Sequence, residues 1–76
     1  LLHQANLRII QSVAKRLKLS QDKFPISLDH CGNVSAASVP ILLDEVNRKG
    51  LLQKGDKIIM SGFGGGLTWG TCLMEW

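Results

Sequence analysis

Between Ala5 and Leu19 the sequence repeats with a helical period, and that repeat constrains the fold more than any other feature. At about 100° per residue, Gln4, Arg8, Gln11, Ser12, Lys15, Arg16 and Lys18 fall on one half of the helical wheel. Leu7, Ile9, Ile10, Val13, Ala14 and Leu17 fall on the other. A strand, whose side chains alternate with period two, cannot separate these residues in this way. The apolar half must cover a core, so the helix has to pack on other elements. The polar half carries Arg8, Lys15, Arg16 and Lys18 ahead of the first acidic residue, Asp22, so the net charge of +3 belongs mainly to this one element. Such a face is either solvated or docks an acidic partner, and both readings are open. An anionic membrane surface fits less well, because the helix is short and its apolar side lacks Trp and Phe. Nucleic acid fits least, since no aromatic or base-reading motif accompanies the charge.

His3 stands just before this helix, where the helix dipole disfavours an imidazolium and keeps a neutral ring able to donate one hydrogen bond. A cap or an exposed terminus is the alternative. Ser20 to Lys23 form a polar turn. Phe24 to Asp29 are expected to form a short strand, with Phe24, Ile26 and Leu28 alternating and Pro25 near the start, where a missing N–H is tolerated. The stretch His30-Cys31-Gly32-Asn33-Val34-Ser35-Ala36-Ala37-Ser38 then makes a strand-to-helix turn, a place where polar side chains gather at the end of a sheet. Asn33 is either a turn residue bonded to its own backbone or a donor offered to a substrate. Neighbours on an extended backbone point apart, which argues against His30 and Cys31 as a base and nucleophile. Cys31 reads as a small packing residue.

A second helix is expected from within Ser35 to Val39 through Lys49, stopped by Gly50, with Arg48 and Lys49 complementing its dipole. Pro40 lacks a donor and belongs in its first turn. Ile41, Leu42, Leu43 and Val46 supply its buried stripe. Gln53 to Asp56 turn the chain, and Lys57 to Ser61 form a short buried strand around Ile58, Ile59 and Met60. Gly62-Phe63-Gly64-Gly65-Gly66 fails as a dinucleotide loop, because position 67 is Leu and the residues that follow have strand composition. The glycines therefore join two strands. They make either a plain hairpin or one whose amides close on a carbonyl oxygen as an oxyanion hole.

Size narrows the function. A domain of 76 residues buries only roughly 60% of its unfolded surface and needs a staple or a partner. Cys31 and Cys72 have no metal-ligand or disulfide spacing, so no metal site is expected, and a reducing cytoplasm fits best. No apolar run approaches the ~20 residues of a membrane span. The opening Leu1-Leu2-His3 has no initiator Met and no signal-peptide layout, which suggests a piece of a longer chain.

Three motifs then combine. His3-Gln4-Ala5-Asn6-Leu7-Arg8, Gly32-Asn33-Val34-Ser35-Ala36-Ala37-Ser38-Val39-Pro40 and Phe63-Gly64-Gly65-Gly66-Leu67-Thr68-Trp69-Gly70 together resemble the C-terminal end of the β-ketoacyl-acyl-carrier-protein synthase III family. The likeness runs through the whole chain in order. Val34 stands where the family commonly has Thr, and Cys31 where a larger residue is more usual. The resemblance implies the C-terminal part of a C-terminal thiolase-like half domain, in a cytoplasmic homodimer that starts type II fatty-acid synthesis. In that family a cysteine takes an acyl group from acyl-CoA, and malonyl-acyl-carrier protein loses CO2 to attack it, with no resident cofactor. The nucleophilic cysteine lies in the N-terminal half, and neither Cys31 nor Cys72 matches its motif.

By motif, His3 and Asn33 would hydrogen-bond the malonyl thioester oxygen, Phe63 would line the decarboxylation site, and the Gly65 amide would join the oxyanion hole. Gln4, Ala5, Asn6, Leu7 and Arg8, with Lys15 and Arg16, would bind the acidic carrier protein. The expected fold is α/β, in the order helix-strand-helix-strand-strand. Its sheet is expected to be incomplete, because the strand before the first helix and an earlier one would be missing. The alternative function is a small non-catalytic module that binds an acidic protein or anionic surface through the first helix.

Overall fold

A computed structural model describes all 76 residues. Helix α1 spans Leu7–Leu17. It starts later than the periodicity suggests because Asn6, in an extended conformation, accepts the Arg8 amide on its side chain at 2.8 Å and so caps the helix. It ends on Lys18, whose left-handed backbone (φ 55°) returns its N–H to the carbonyls of Ala14 and Lys15.

The expected strand over Phe24 to Asp29 does not form. A 3-10 turn at Gln21–Lys23 leads through an irregular stretch into a single-turn helix, α2, at Leu28–Cys31. The reason lies in the partners of its backbone groups. Pro25 has no N–H, Ser27 N–H goes to the Gln4 side chain at 2.9 Å, and the Ser27 carbonyl accepts from His30 and Cys31 at 3.3 and 2.8 Å. With these groups engaged by Gln4 and by the following turn, they are not free to build a ladder. Asn33 therefore follows a helical turn rather than a strand.

A second 3-10 turn at Ser35–Ala37 runs into helix α3, Ser38–Arg48. Pro40 sits in its first turn as expected, and Gly50 (φ 70°) terminates it. Strands β1 (Lys57–Gly64) and β2 (Thr68–Glu75) pair antiparallel, from Lys57 opposite Glu75 to Gly64 opposite Thr68. Lys57 and Glu75 also form an ion pair across the open end. The glycine-rich segment is thus a hairpin end. Leu1 to His3 add an unexpected piece: Ser61 N–H donates to the Leu1 carbonyl at 2.9 Å and His3 N–H to the Ser61 carbonyl at 2.8 Å, a parallel bridge of Leu2 to Ser61. A short strand-like segment before the first helix is therefore present beside β1.

The core is small. Ile10 and Ala14 from α1, Leu42 and Val46 from α3, and Ile58 from β1 are its buried hydrophobic residues. Of the three β1 residues expected to be buried, only Ile58 is. Ile59 is 56% exposed beside Leu73, its partner in the register, because successive strand residues face opposite sides and only one face of the hairpin carries helices. Leu7, Ile9 and Leu17 of the apolar half of α1 are exposed as well.

Five hydrophobic core residues against ten exposed large apolar ones give this chain little to hold it closed by itself. Isolated, it should lack a cooperative thermal transition and show weak amide protection by hydrogen exchange. A sharply melting, well-protected monomer would contradict this.

Candidate active site

One cleft of about 590 Å³ gathers His3, Asn33, Phe63 and Gly65. They come from the N-terminal segment, the loop after α2, β1 and the hairpin turn. His3 reaches the cleft through its backbone bond to Ser61. Its ring lies edge-on to Phe63, with centroids 5.2 Å apart and planes at 80°, a favourable aromatic geometry. Its Nδ1 is 2.6 Å from Ser38 Oγ. The position expected for His3, at the N-terminus of the first helix, needs correction: Asn6 caps α1, and the ring is held by α3 and β1 instead.

At Asn33 both sequence readings hold at once. Oδ1 accepts the Ser35 amide at 3.1 Å, an Asx turn flanked by left-handed backbone at Gly32 (φ 68°) and Ser35 (φ 55°). That bond orients the amide group and leaves both Nδ2 hydrogens unpaired within the chain. Donors from His3 and Asn33 thus share one cleft, the arrangement that stabilises a developing oxyanion.

The hairpin glycines divide into two kinds. Gly66 needs to be glycine: its φ is 116°, and a Cβ at that position would stand only 2.9 Å from Thr68 Oγ1. Gly64 and Gly65 have no such backbone requirement, and a Cβ on either would meet nothing within 4 Å. Their small size keeps space open at the edge of the cleft.

Gln4 corrects another expectation. Placed by periodicity on the polar face, it is fully buried. Its Oε1 accepts Ser27 N–H and its Nε2 donates to the Leu2 carbonyl, both at 2.9 Å. The wheel does not extend to Gln4 because helical backbone begins only at Leu7. Asn6, a strong cap residue one position earlier, is the signal in the sequence that marks this boundary. Ser38 has no such signal, since a serine at a helix start carries no mark of its tertiary partner. By contrast Asn6, Arg8, Lys15 and Arg16 are exposed, and none of the three basic residues enters an ion pair.

His30 and Cys31 lie outside the cleft. His30 Nδ1 is 2.8 Å from Asp29 Oδ1 and Nε2 is 2.7 Å from Glu45 Oε1. The hydrogen bond to Glu45, then that to Asp29, raises the imidazole pKa above its ordinary 6.5. Cys31 Sγ donates to Glu45 Oε1 at 3.6 Å, and desolvation followed by the Glu45 charge raises its pKa. Both effects favour the thiol over the nucleophilic thiolate. His30, Cys31 and Glu45 offer ligand atoms within 4.8 Å of one another, and the hydrogen bonds among them account for that closeness.

The arrangement is an α/β segment of thiolase-like fold. The sequence pattern described as 3-oxoacyl-[acyl-carrier-protein (ACP)] synthase III C terminal matches residues 1–76, and the chain belongs to that family. The β-ketoacyl-[acyl-carrier-protein] synthase III of Clostridium novyi is 65% identical over 74 residues, covering 97% of this chain and 23% of the relative. Among solved structures, 3-oxoacyl-(acyl carrier protein) synthase III from Pseudomonas aeruginosa superposes with a TM-score of 0.93 at 40% identity, covering 99% of this chain and 24% of that one. The synthase III from Thermus thermophilus gives a TM-score of 0.95 at 40% identity, covering 99% and 23%. The chain therefore spans about a quarter of the length of the relatives it matches. No helix is long and apolar enough to cross a membrane.

The carboxylates around His30 define a pH response. Its raised pKa means that its share of stability is complete below about pH 6.5, the unfolded value, and is lost as pH rises through the folded value. Asp29, lowered chiefly by its hydrogen bond to His30, behaves oppositely and loses its share as pH falls through its own depressed value. In an imidazole NMR titration His30 should have a midpoint above 6.5, and Glu45→Gln should bring it down. An unchanged midpoint in that variant would remove Glu45 as the main cause.

Proposed function

We propose that this chain is the C-terminal part of a condensing enzyme's C-terminal thiolase-like half, and that the whole protein joins an acyl-CoA-derived primer to malonyl-acyl-carrier protein with loss of CO2. This reaction begins type II fatty-acid synthesis. The observation that carries the reading is the convergence of His3, Asn33, Phe63 and Gly65 on one cleft.

The chemistry follows from the residue types. When the malonyl thioester loses CO2, the electron pair of the breaking C–C bond moves toward the thioester carbonyl, whose oxygen takes on negative charge. His3 and Asn33 can each donate a hydrogen bond to that oxygen. The Phe63 ring gives the departing carboxylate an apolar wall, an environment that favours neutral CO2 over an anion. The resulting carbanion attacks an acyl group on a cysteine supplied by another part of the protein. The Gly65 amide, at the open edge of the cleft, contributes to the oxyanion hole of that acyl-cysteine. The reaction uses acyl-CoA and malonyl-carrier protein as substrates and draws on no resident cofactor or metal.

Carrier docking is assigned to the exposed side of α1, with Asn6, Arg8, Lys15 and Arg16 facing an acidic carrier protein and Ala5 and Leu7 at the rim. Gln4 acts from the interior, by fixing the segment that leads into the helix. Homodimerisation and a cytoplasmic location complete the reading. A non-catalytic module binding an acidic surface would account for the unpaired charges of α1 but leaves the cleft without a role.

Two experiments on the full-length protein test this reading. His3→Ala or Asn33→Ala should slow decarboxylation of malonyl-carrier protein by on the order of 100-fold or more, the usual effect of deleting an oxyanion donor, while acyl-enzyme formation from labelled acyl-CoA largely survives. Normal CO2 release from both variants would refute the roles. Changing Arg8, Lys15 and Arg16 to Glu should weaken use of the carrier substrate, most strongly at low salt. Equal losses in the acyl-CoA step would count against a docking face.

A further inference from the structure

We infer that Ser38 is the positioning residue for His3: its buried hydroxyl donates to Nδ1 and holds the imidazole as the tautomer that carries its hydrogen on Nε2. The inference deepens the proposed function and rests on it.

Ser38 opens α3 and is 1% exposed. Its Oγ has two neighbours, His3 Nδ1 at 2.6 Å and the backbone nitrogen of Gln4 at 3.3 Å. The Gln4 N–H can only donate, so it occupies an oxygen lone pair. The hydroxyl hydrogen then needs an acceptor, and burial denies it water. Between the two neighbours, only Nδ1 can accept. Were the imidazole hydrogen on Nδ1 instead, two donors would converge on Oγ and the hydroxyl hydrogen would be left buried without a partner, a state that folded proteins avoid. The hydrogen bond at one ring nitrogen decides what the other carries, so Nε2 bears the hydrogen.

The ring has little freedom to escape this assignment. Phe63 packs against it edge-on, its own backbone N–H is tied to Ser61, and the buried Gln4 side chain binds Leu2 on one side and Ser27 on the other. Nδ1 is occupied by Ser38, so an oxygen in the cleft can be met only by Nε2. In the tautomer set by Ser38 that atom is a donor. In the other it would turn a lone pair toward an oxygen gaining negative charge. Ser38 therefore acts through His3 on the decarboxylation step, without touching the substrate.

The test uses the full-length protein with 15N-labelled histidine. In the unsubstituted protein the His3 Nε2 resonance should be of the hydrogen-bearing type and Nδ1 of the acceptor type. The reverse pattern overturns the inference without any variant, so a Ser38 variant that fails to fold does not shelter it. Ser38→Ala should give a mixture of tautomers and lower kcat for decarboxylation roughly tenfold, the order expected for one lost hydrogen bond, with KM for malonyl-carrier protein and acylation by acyl-CoA little changed. An unchanged kcat, or a loss that falls on KM instead, overturns the role. Where His3→Ala abolishes decarboxylation and Ser38→Ala does not affect it, the Ser38 inference fails alone. Normal decarboxylation by His3→Ala instead removes the functional reading beneath it.

Discussion

Residues 1–4 are fixed in the fold by the backbone bridge of Leu2 to Ser61 together with the hydrogen bonds that converge on Gln4. Its side chain, fully buried, accepts from Ser27 and donates to Leu2, and its backbone N–H donates to Ser38. A buried amide needs such partners, and losing one would leave a polar group stranded away from water. The same bonds that satisfy Gln4 fasten the N-terminal segment to the loop before α2 and to the start of α3. His3, one residue earlier, is thereby held where it can share a cleft with Asn33. A polar cluster and the backbone bridge to β1 thus fix the segment that carries His3.

That choice fits how little apolar surface is enclosed. The hairpin has helices on one face only, leaving Ile59 and Leu73 uncovered on the other, and α1 leaves Leu7, Ile9 and Leu17 accessible. With ten large apolar residues exposed, the enclosure is partial, in a chain about a quarter as long as its relatives. Hydrogen bonds between residues far apart in sequence, from Ser27, Ser38 and Ser61 to the N-terminal segment, hold His3 in place where the hydrophobic enclosure is partial.

Two carboxylate-flanked side chains outside the cleft illustrate how context sets reactivity. His30 is drawn toward its charged form by Glu45 and Asp29, while Cys31 is shifted toward its neutral thiol by desolvation first and by the same Glu45 second. One negative charge thus contributes to the acid form of both neighbours, as the leading cause only at His30. The adjacent pair His30 and Cys31 lies outside the cleft, whereas the two candidate donors that line it, His3 and Asn33, are 30 positions apart in the chain.

Much of the local structure was legible in the residues alone. The 3.6-residue period of α1, the Gly50 stop of α3 and the glycine-joined hairpin all follow from backbone preferences that act over a few positions. Three motifs also pointed to the family and to His3, Asn33, Phe63 and Gly65. What failed was whatever depended on distant partners. Phe24 to Asp29 had strand alternation, yet Gln4 and local turns took the backbone groups a ladder needs. Ile59 had core composition but landed on the bare face. Gln4 sat on the polar half of a wheel that does not reach it, and Ser38 had nothing to distinguish it until α3 brought it within 2.6 Å of His3. Periodicity and propensity are properties of neighbours in sequence and could be read directly. Burial and hydrogen-bond partnership depend on which distant groups the fold brings together, so only the tertiary structure decided them.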